Sequence, residues 1–225
     1  QGTFIRDAIS EVKDSALIGI ILAVVVLFVF LRRVGTTLIV SLAIPFSIIA
    51  TFNLMYFNHL TINIMTLGGL ALGAGMLVDN AIVVIENIFR HHEGGASVKD
   101  AAVNGTSQVG GAIVASTLTT IVVFLPIVYL HGASGELFKD QAWVVAFSLF
   151  SSLFAAIFLI PMLYHRFYRN KPAPVTRKAM QMTGYGKLLQ RVLNAKWLVL
   201  VIALVLTAAS FLLVPLIGSE FMPQT

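Results

Sequence analysis

The chain contains no cysteine, only 10 acidic residues against 15 lysines and arginines, and just 11% charged residues in a length of 225. Without a thiol, disulfides and thiolate metal sites are excluded, although the absence does not fix a compartment. So little charge, set beside 58% hydrophobic residues and a mean hydropathy of +0.91, excludes a soluble domain of this length. Internal repeats and low-complexity tracts are missing too. So are a phosphate-binding glycine loop, a nucleophile elbow and a serine–lysine pair. His91 and His92 are adjacent rather than four apart, which does not fit a helical HExxH zinc site, and His59, His131 and His165 stand singly. An intramembrane aspartyl protease needs two carboxylates sharing a proton, and no second Asp lies in an apolar span.

What the chain has instead is long apolar runs. A hydrocarbon core of about 30 Å needs roughly 20 apolar residues in a helix. Six windows meet that test, at about 15–32, 34–56, 62–88, 109–130, 142–165 and 196–217. The expected fold is all-α, a polytopic membrane bundle of six transmembrane helices with both termini on one side. On that arrangement 12 of the 15 basic residues fall on one side, among them Arg32, Arg33, Arg90, Lys99 and the cluster from Arg166 to Lys196. The positive-inside rule makes that side cytoplasmic and both termini extracytoplasmic. The basic loop is therefore a topology signal, and nucleic-acid binding is not expected.

The windows divide the chain. Residues 1–14, with Ile5, Ile9 and Val12 at helical spacing, form an amphipathic lead-in. The opening run "QGTFIRDAISEVKDS" has no basic n-region or cleavage site and reads as the continuation of a preceding segment. A five-helix group fills 15–165, a basic connector 166–195 with an interfacial helix from Gly186 to Ala195, a sixth span 196–217, and a polar stub 218–225. Pro45, Pro126 and Pro161 should kink their spans. Between the third and fourth spans, Gly94 and Gly95 break the helix, and Ser97 with Asp100 predicts the N-cap of a short surface helix over Val98–Val103. His91, His92 and Glu93 are expected to be solvated loop residues.

The third window raises the chemical question, because "GMLVDNAIVVIENI" carries Asp79 and Asn80 inside an apolar run. An ionised carboxylate at bilayer depth costs about 2.5–3.5 kcal/mol on insertion scales, so Asp79 should face a bundle interior, find a partner or stay protonated. Burial favours a neutral acid and a nearby cation the charged form, so a cation that comes and goes turns a carboxyl into a proton carrier. The alternative is a polar clasp that only fixes packing. Helical spacing aligns Leu72, Gly75, Met76, Asp79, Val83 and Glu86, with Asn80 about 100° round, able to bridge to another helix. Gly69 and Gly73 have GxxxG spacing, with Gly68 and Gly75 beside them, and permit close helix packing near the carboxylate. Thr117 and Thr120 of the fourth window can bond to their own helix or a neighbour.

These residues resemble the resistance-nodulation-division (RND) transporter superfamily. The resemblance rests on "GMLVDNAIVVIENI", "VLFVFLRRVGTTLIVSLAIPFSIIATF", "TINIMTLGGLALG" and "SEFMPQT", and covers nearly the whole chain. It implies family helices two to seven, flanked by stubs of two large periplasmic regions, in a multi-pass protein of the bacterial inner membrane. It implies a secondary transporter rather than an enzyme: an antiporter, commonly a homotrimer, that expels drugs or other amphiphiles using protons as coupling ion and no cofactor. Membrane lipid, the remaining half of the transporter, a periplasmic adaptor and an outer-membrane channel are the implied partners. Asp79 matches the family's proton-relay carboxylate, with Asn80 as support, and the relay's lysine would lie outside this chain. Drug exporters commonly carry two adjacent Asp residues here. The Asp79–Asn80 pair is also similar to the metal-exporting branch, so substrate class stays open.

Overall fold

The structure, a computed structural model, describes residues 18–19, 22, 24–29, 32–129, 132–170 and 183–213. The chain divides into two compact units, Gln1–Val175 and Thr176–Thr225. In the first, helical residues at 24–29 precede α1 (Val34–Phe57), α2 (Ile64–Glu93), α3 (Val98–Val128) and α4 (Ala133–Phe154). One π turn (Ala155–Leu159) then leads into α5 (Ile160–Tyr168). The second unit holds α6 (Thr183–Asn194) and α7 (Lys196–Leu213). Among the described residues there is no strand.

Four helices are long and apolar enough to cross a membrane: α1, α2, α3 and the continuous run Phe138–Tyr168 through the π turn. The pair Gly184–Asn194 and Lys196–Phe211, bent by 82°, counts as a fifth if taken as one span. Eight of the 18 residues of the first window, the lead-in 1–14 and the stub 218–225 lie outside the described residues.

Local chemistry explains the boundaries. Asn63 opens α2 with a capping box: its side chain accepts from the Thr66 N–H at 2.8 Å while its own N–H donates to Thr66 Oγ1 at 2.7 Å. Gly94 closes α2 and Gly95 follows at φ +93°, a left-handed conformation open to glycine at no steric cost. Ser97 caps α3 by accepting the Asp100 N–H at 3.1 Å. Pro45 and Pro126 both lie inside continuous helices. The π turn stands just ahead of Pro161, which has no N–H to continue the regular ladder; the wider turn absorbs the missing bond.

The structure corrects two expectations. The short surface helix over Val98–Val103 and the fourth span are one helix: no proline separates them, and Ala101, Ala102 and Gly105 are buried, so packing holds Gly105 within the helix. His91, His92 and Glu93 belong to the last turn of α2, and His92 is fully buried. In the connector, the helix runs over Thr183–Asn194, a few residues ahead of the Gly186–Ala195 expected.

Within the first unit α2 packs against α4, α3 and α1. The apolar core gathers toward the end where α1 begins and α2 finishes. Ile39 and Val40 of α1 meet Val84, Ile85 and Ile88 of α2 and Ile160 of α5 there, all with no exposed surface. A polar cluster seals that end. Buried His92 shares a 2.8 Å hydrogen bond with the Tyr164 hydroxyl, and Tyr164 stacks on Tyr168 with centroids 4.5 Å apart. Beside it Arg33 donates to Glu93 Oε1 at 2.7 Å and lies 3.5 Å over the Phe89 ring.

Candidate functional site

Asp79 lies at the middle of α2, 15 residues after Ile64 and 14 before Glu93, so each end is about 21–22 Å away at 1.5 Å per residue. Its position is set by where the helix meets its neighbours. Gly69 and Gly73 face α4: a Cβ on Gly69 would lie 2.9 Å from the Gln141 carbonyl oxygen and 3.2 Å from Val144 Cβ, and Gly73 makes room for the Ser148 side chain. Further along, Gly105 of α3 brings its backbone against Ile88, where a Cβ would sit 2.6 Å from Ile88 Cα. These two seams fix the rotation of α2.

With that rotation, Asp79 points away from both seams. It is exposed in this chain, as are Leu72, Gly75, Val83 and Glu86, while Met76 is half-buried. Around Gly68 and Gly75 an added Cβ would meet nothing within 4 Å. The face that helical spacing groups together is therefore the face that the described residues of the first unit leave uncovered. Among the described residues neither Asp79 nor Glu86 makes a hydrogen bond or ion pair.

Asn80 is turned the other way, into the α2–α3 seam. Its Nδ2 donates to the hydroxyl of Thr117 at 3.1 Å, and Thr117 is buried. The bond orients α2 beside the carboxylate and leaves Asp79 unencumbered. Thr120 is not part of the arrangement, since its hydroxyl donates to the Ser116 carbonyl of its own helix at 3.0 Å. Gly75, grouped in the sequence with Gly69 and Gly73, is separate from them and lies on the open face. Nearer the end of α2, Asn87 Nδ2 donates to the Gly105 carbonyl at 2.7 Å and to Gln108 Oε1 at 3.0 Å, and His91 lies 2.8 Å from the same oxygen. This second polar stitch escaped sequence reasoning, although Asn87 falls seven residues after Asn80 and so on the same side of the helix. No group of three or more His, Asp or Glu side chains among the described residues could hold a metal ion.

The fold and this site define a class: a multi-pass helical membrane protein with an ionisable side chain halfway along an apolar helix. A sequence profile of the AcrB/AcrD/AcrF family matches residues 1–225. The swarming motility protein SwrC of Bacillus subtilis is 35% identical over 233 residues, covering 98% of this chain and 22% of that protein. The multidrug resistance protein MdtC of Pectobacterium atrosepticum is 38% identical over 208 residues, covering 88% of this chain and 20% of that protein. MdtC of Salmonella schwarzengrund is 35% identical over 229 residues, covering 98% and 22%. The chain belongs to the AcrB/AcrD/AcrF family of RND transporters. It spans about a fifth of the length of the curated relatives it matches.

Proposed function

We propose that this chain is part of the transmembrane region of a proton-driven RND efflux permease, in which Asp79 takes up and releases the coupling proton. The observation that carries this reading is the uncovered α2 face: a carboxylate at mid-helix, flanked by glycines that leave room for close approach, with no partner among the described residues. A bare carboxylate facing lipid is costly. The remaining part of the transporter therefore covers this face and brings a basic side chain to Asp79. Protonation from the periplasmic side weakens that ion pair, and the bundle shifts between two packings. Release to the cytoplasm restores the charge. Asn80, tied to Thr117, holds α2 in register while its neighbour changes charge.

The same reading gives six spans with both termini periplasmic in a bacterial inner membrane, a trimeric assembly, and a periplasmic adaptor with an outer-membrane channel as partners. The exported compounds are drugs or other amphiphiles, in keeping with the multidrug resistance named for the MdtC relatives. A metal-ion exporter is the second reading, favoured by the single carboxylate of the Asp79–Asn80 pair. The test is proton-coupled efflux by the complete parent protein in liposomes, comparing wild type with Asp79→Asn at matched folding. Loss of coupling in the folded variant supports the relay. Retained coupling leaves Asp79 as a packing clasp in a protein that moves protons elsewhere, and absence of coupled efflux from the wild type as well would favour a non-transporting scaffold.

A further inference from the structure

A groove runs along the first unit between α3 and the segment formed by the π turn and α5. It is open along one side, has a volume of about 560 Å³ and is lined on one wall by Ala102, Val103, Thr106, Ser107 and Gly110 and on the other by Ile157, Pro161 and Met162. Lys99 and His165 stand at one end, and both are exposed. The groove is graded along its length. Gly110 is 11 residues beyond Lys99 on α3, about 16 Å at helical rise, so the polar groups mark one mouth and the apolar lining extends away from them. The two walls differ from ordinary helix surfaces in a way that opens the gap: Gly110 has no side chain, and the π turn bulges the facing backbone ahead of Pro161.

Two observations say what fits. The mouth offers a primary amine and an imidazole N–H donor, and the nearest acid in the sequence, Asp100, accepts a 2.6 Å hydrogen bond from Ser97. The second is the lining beyond the mouth: Val103, Gly110, Ile157, Pro161 and Met162 present apolar atoms, and the hydroxyl oxygen of Thr106 is buried beneath the groove surface. A ligand with an anionic head and an apolar tail would satisfy both parts in order.

We infer that this groove is a binding site for one anionic phospholipid of the inner leaflet, its phosphate at Lys99 and His165 and an acyl chain along Val103, Gly110, Ile157 and Met162. Coulomb attraction at the mouth supplies headgroup selectivity, because the apolar walls alone do not distinguish an anionic from a zwitterionic lipid. The site depends on membrane insertion and not on proton coupling, so it stands or falls separately from the role of Asp79.

The absence of cysteine from this chain allows a single reporter. Met162→Cys, in a complete parent protein freed of any other cysteine, is labelled with a bimane fluorophore and placed in nanodiscs containing brominated phosphatidylglycerol or brominated phosphatidylcholine. The expected result is quenching by the brominated phosphatidylglycerol at about one third of the mole fraction needed for the zwitterionic lipid. That preference disappears in Lys99→Gln/His165→Gln. Equal quenching by the two lipids would mean an ordinary annular surface, and no quenching by either would mean that protein covers the groove; both overturn the proposal. A control label at Phe52, an exposed position on α1, reports whether the double variant still folds and inserts, by unchanged quenching there.

Discussion

Gly105→Ala separates the account of helix packing from a general tolerance of small residues. The added Cβ would stand 2.6 Å from Ile88 Cα and 2.9 Å from Ile88 N, both backbone atoms that no rotamer change can move. Carbon–carbon contact is comfortable at about 3.5–4.0 Å, so α2 and α3 must part by roughly 1 Å. That shift also stretches the 2.7 Å bond from Asn87 Nδ2 to the Gly105 carbonyl. Overpacking of this kind costs about 1–3 kcal/mol, against which alanine's better helix propensity returns up to about 1 kcal/mol. Gly110→Ala, on the same helix, adds its Cβ where nothing lies within 4 Å and keeps only the propensity gain. In detergent, the thermal midpoint of the purified parent protein should fall for Gly105→Ala and hold or rise for Gly110→Ala. Equal midpoints would show that the α2–α3 contact is not close, and with it would go the argument that this seam fixes the direction of Asp79.

Three more outcomes are expected. Tyr164→Phe leaves the buried His92 Nδ1 without its 2.8 Å partner and should destabilise by about 1–3 kcal/mol, read by denaturant titration; no loss would mean that the imidazole finds another partner. Arg33→Gln and Glu93→Gln, each about a quarter exposed or less, should couple by about 1 kcal/mol in a double-mutant cycle, and strict additivity would remove the ion pair from the account. Thr117→Val removes the acceptor of Asn80 at nearly constant volume. It should lower the efflux rate of the reconstituted parent protein severalfold while leaving its membrane level unchanged, and undiminished efflux would deny the Asn80–Thr117 bond any part in transport.

The spans of α1, α2, α3 and the Phe138–Tyr168 run were legible because long apolar windows and few breakers dominate their sequence. The caps at Ser97 and Gly94 were legible for the same kind of reason, a local side-chain or backbone rule. The first turns of α3 were not. There Ala101, Ala102 and Gly105 make the contact, and small residues carry little hydropathy although they let backbones approach. His92 was hidden by its polar neighbours in "RHHE". Yet it follows Ile85, Ile88 and Phe89 at spacings of seven, four and three, which puts it on the buried stripe. The shared face of Gly75, Asp79 and Glu86 could be read from helical period. That the described helices of the first unit leave this face uncovered could not, because it depends on which sides of α2 they occupy.

The most direct measurement of the central claim is the ionisation of Asp79 during turnover. Infrared difference spectra of the parent protein in liposomes, recorded as a proton gradient is imposed, should show a carboxyl carbonyl band that rises with substrate efflux. The band should be missing from Asp79→Asn, with efflux lost in the same variant. A band that persists undiminished in Asp79→Asn, or efflux that survives its removal, would contradict the assignment of the coupling proton to Asp79.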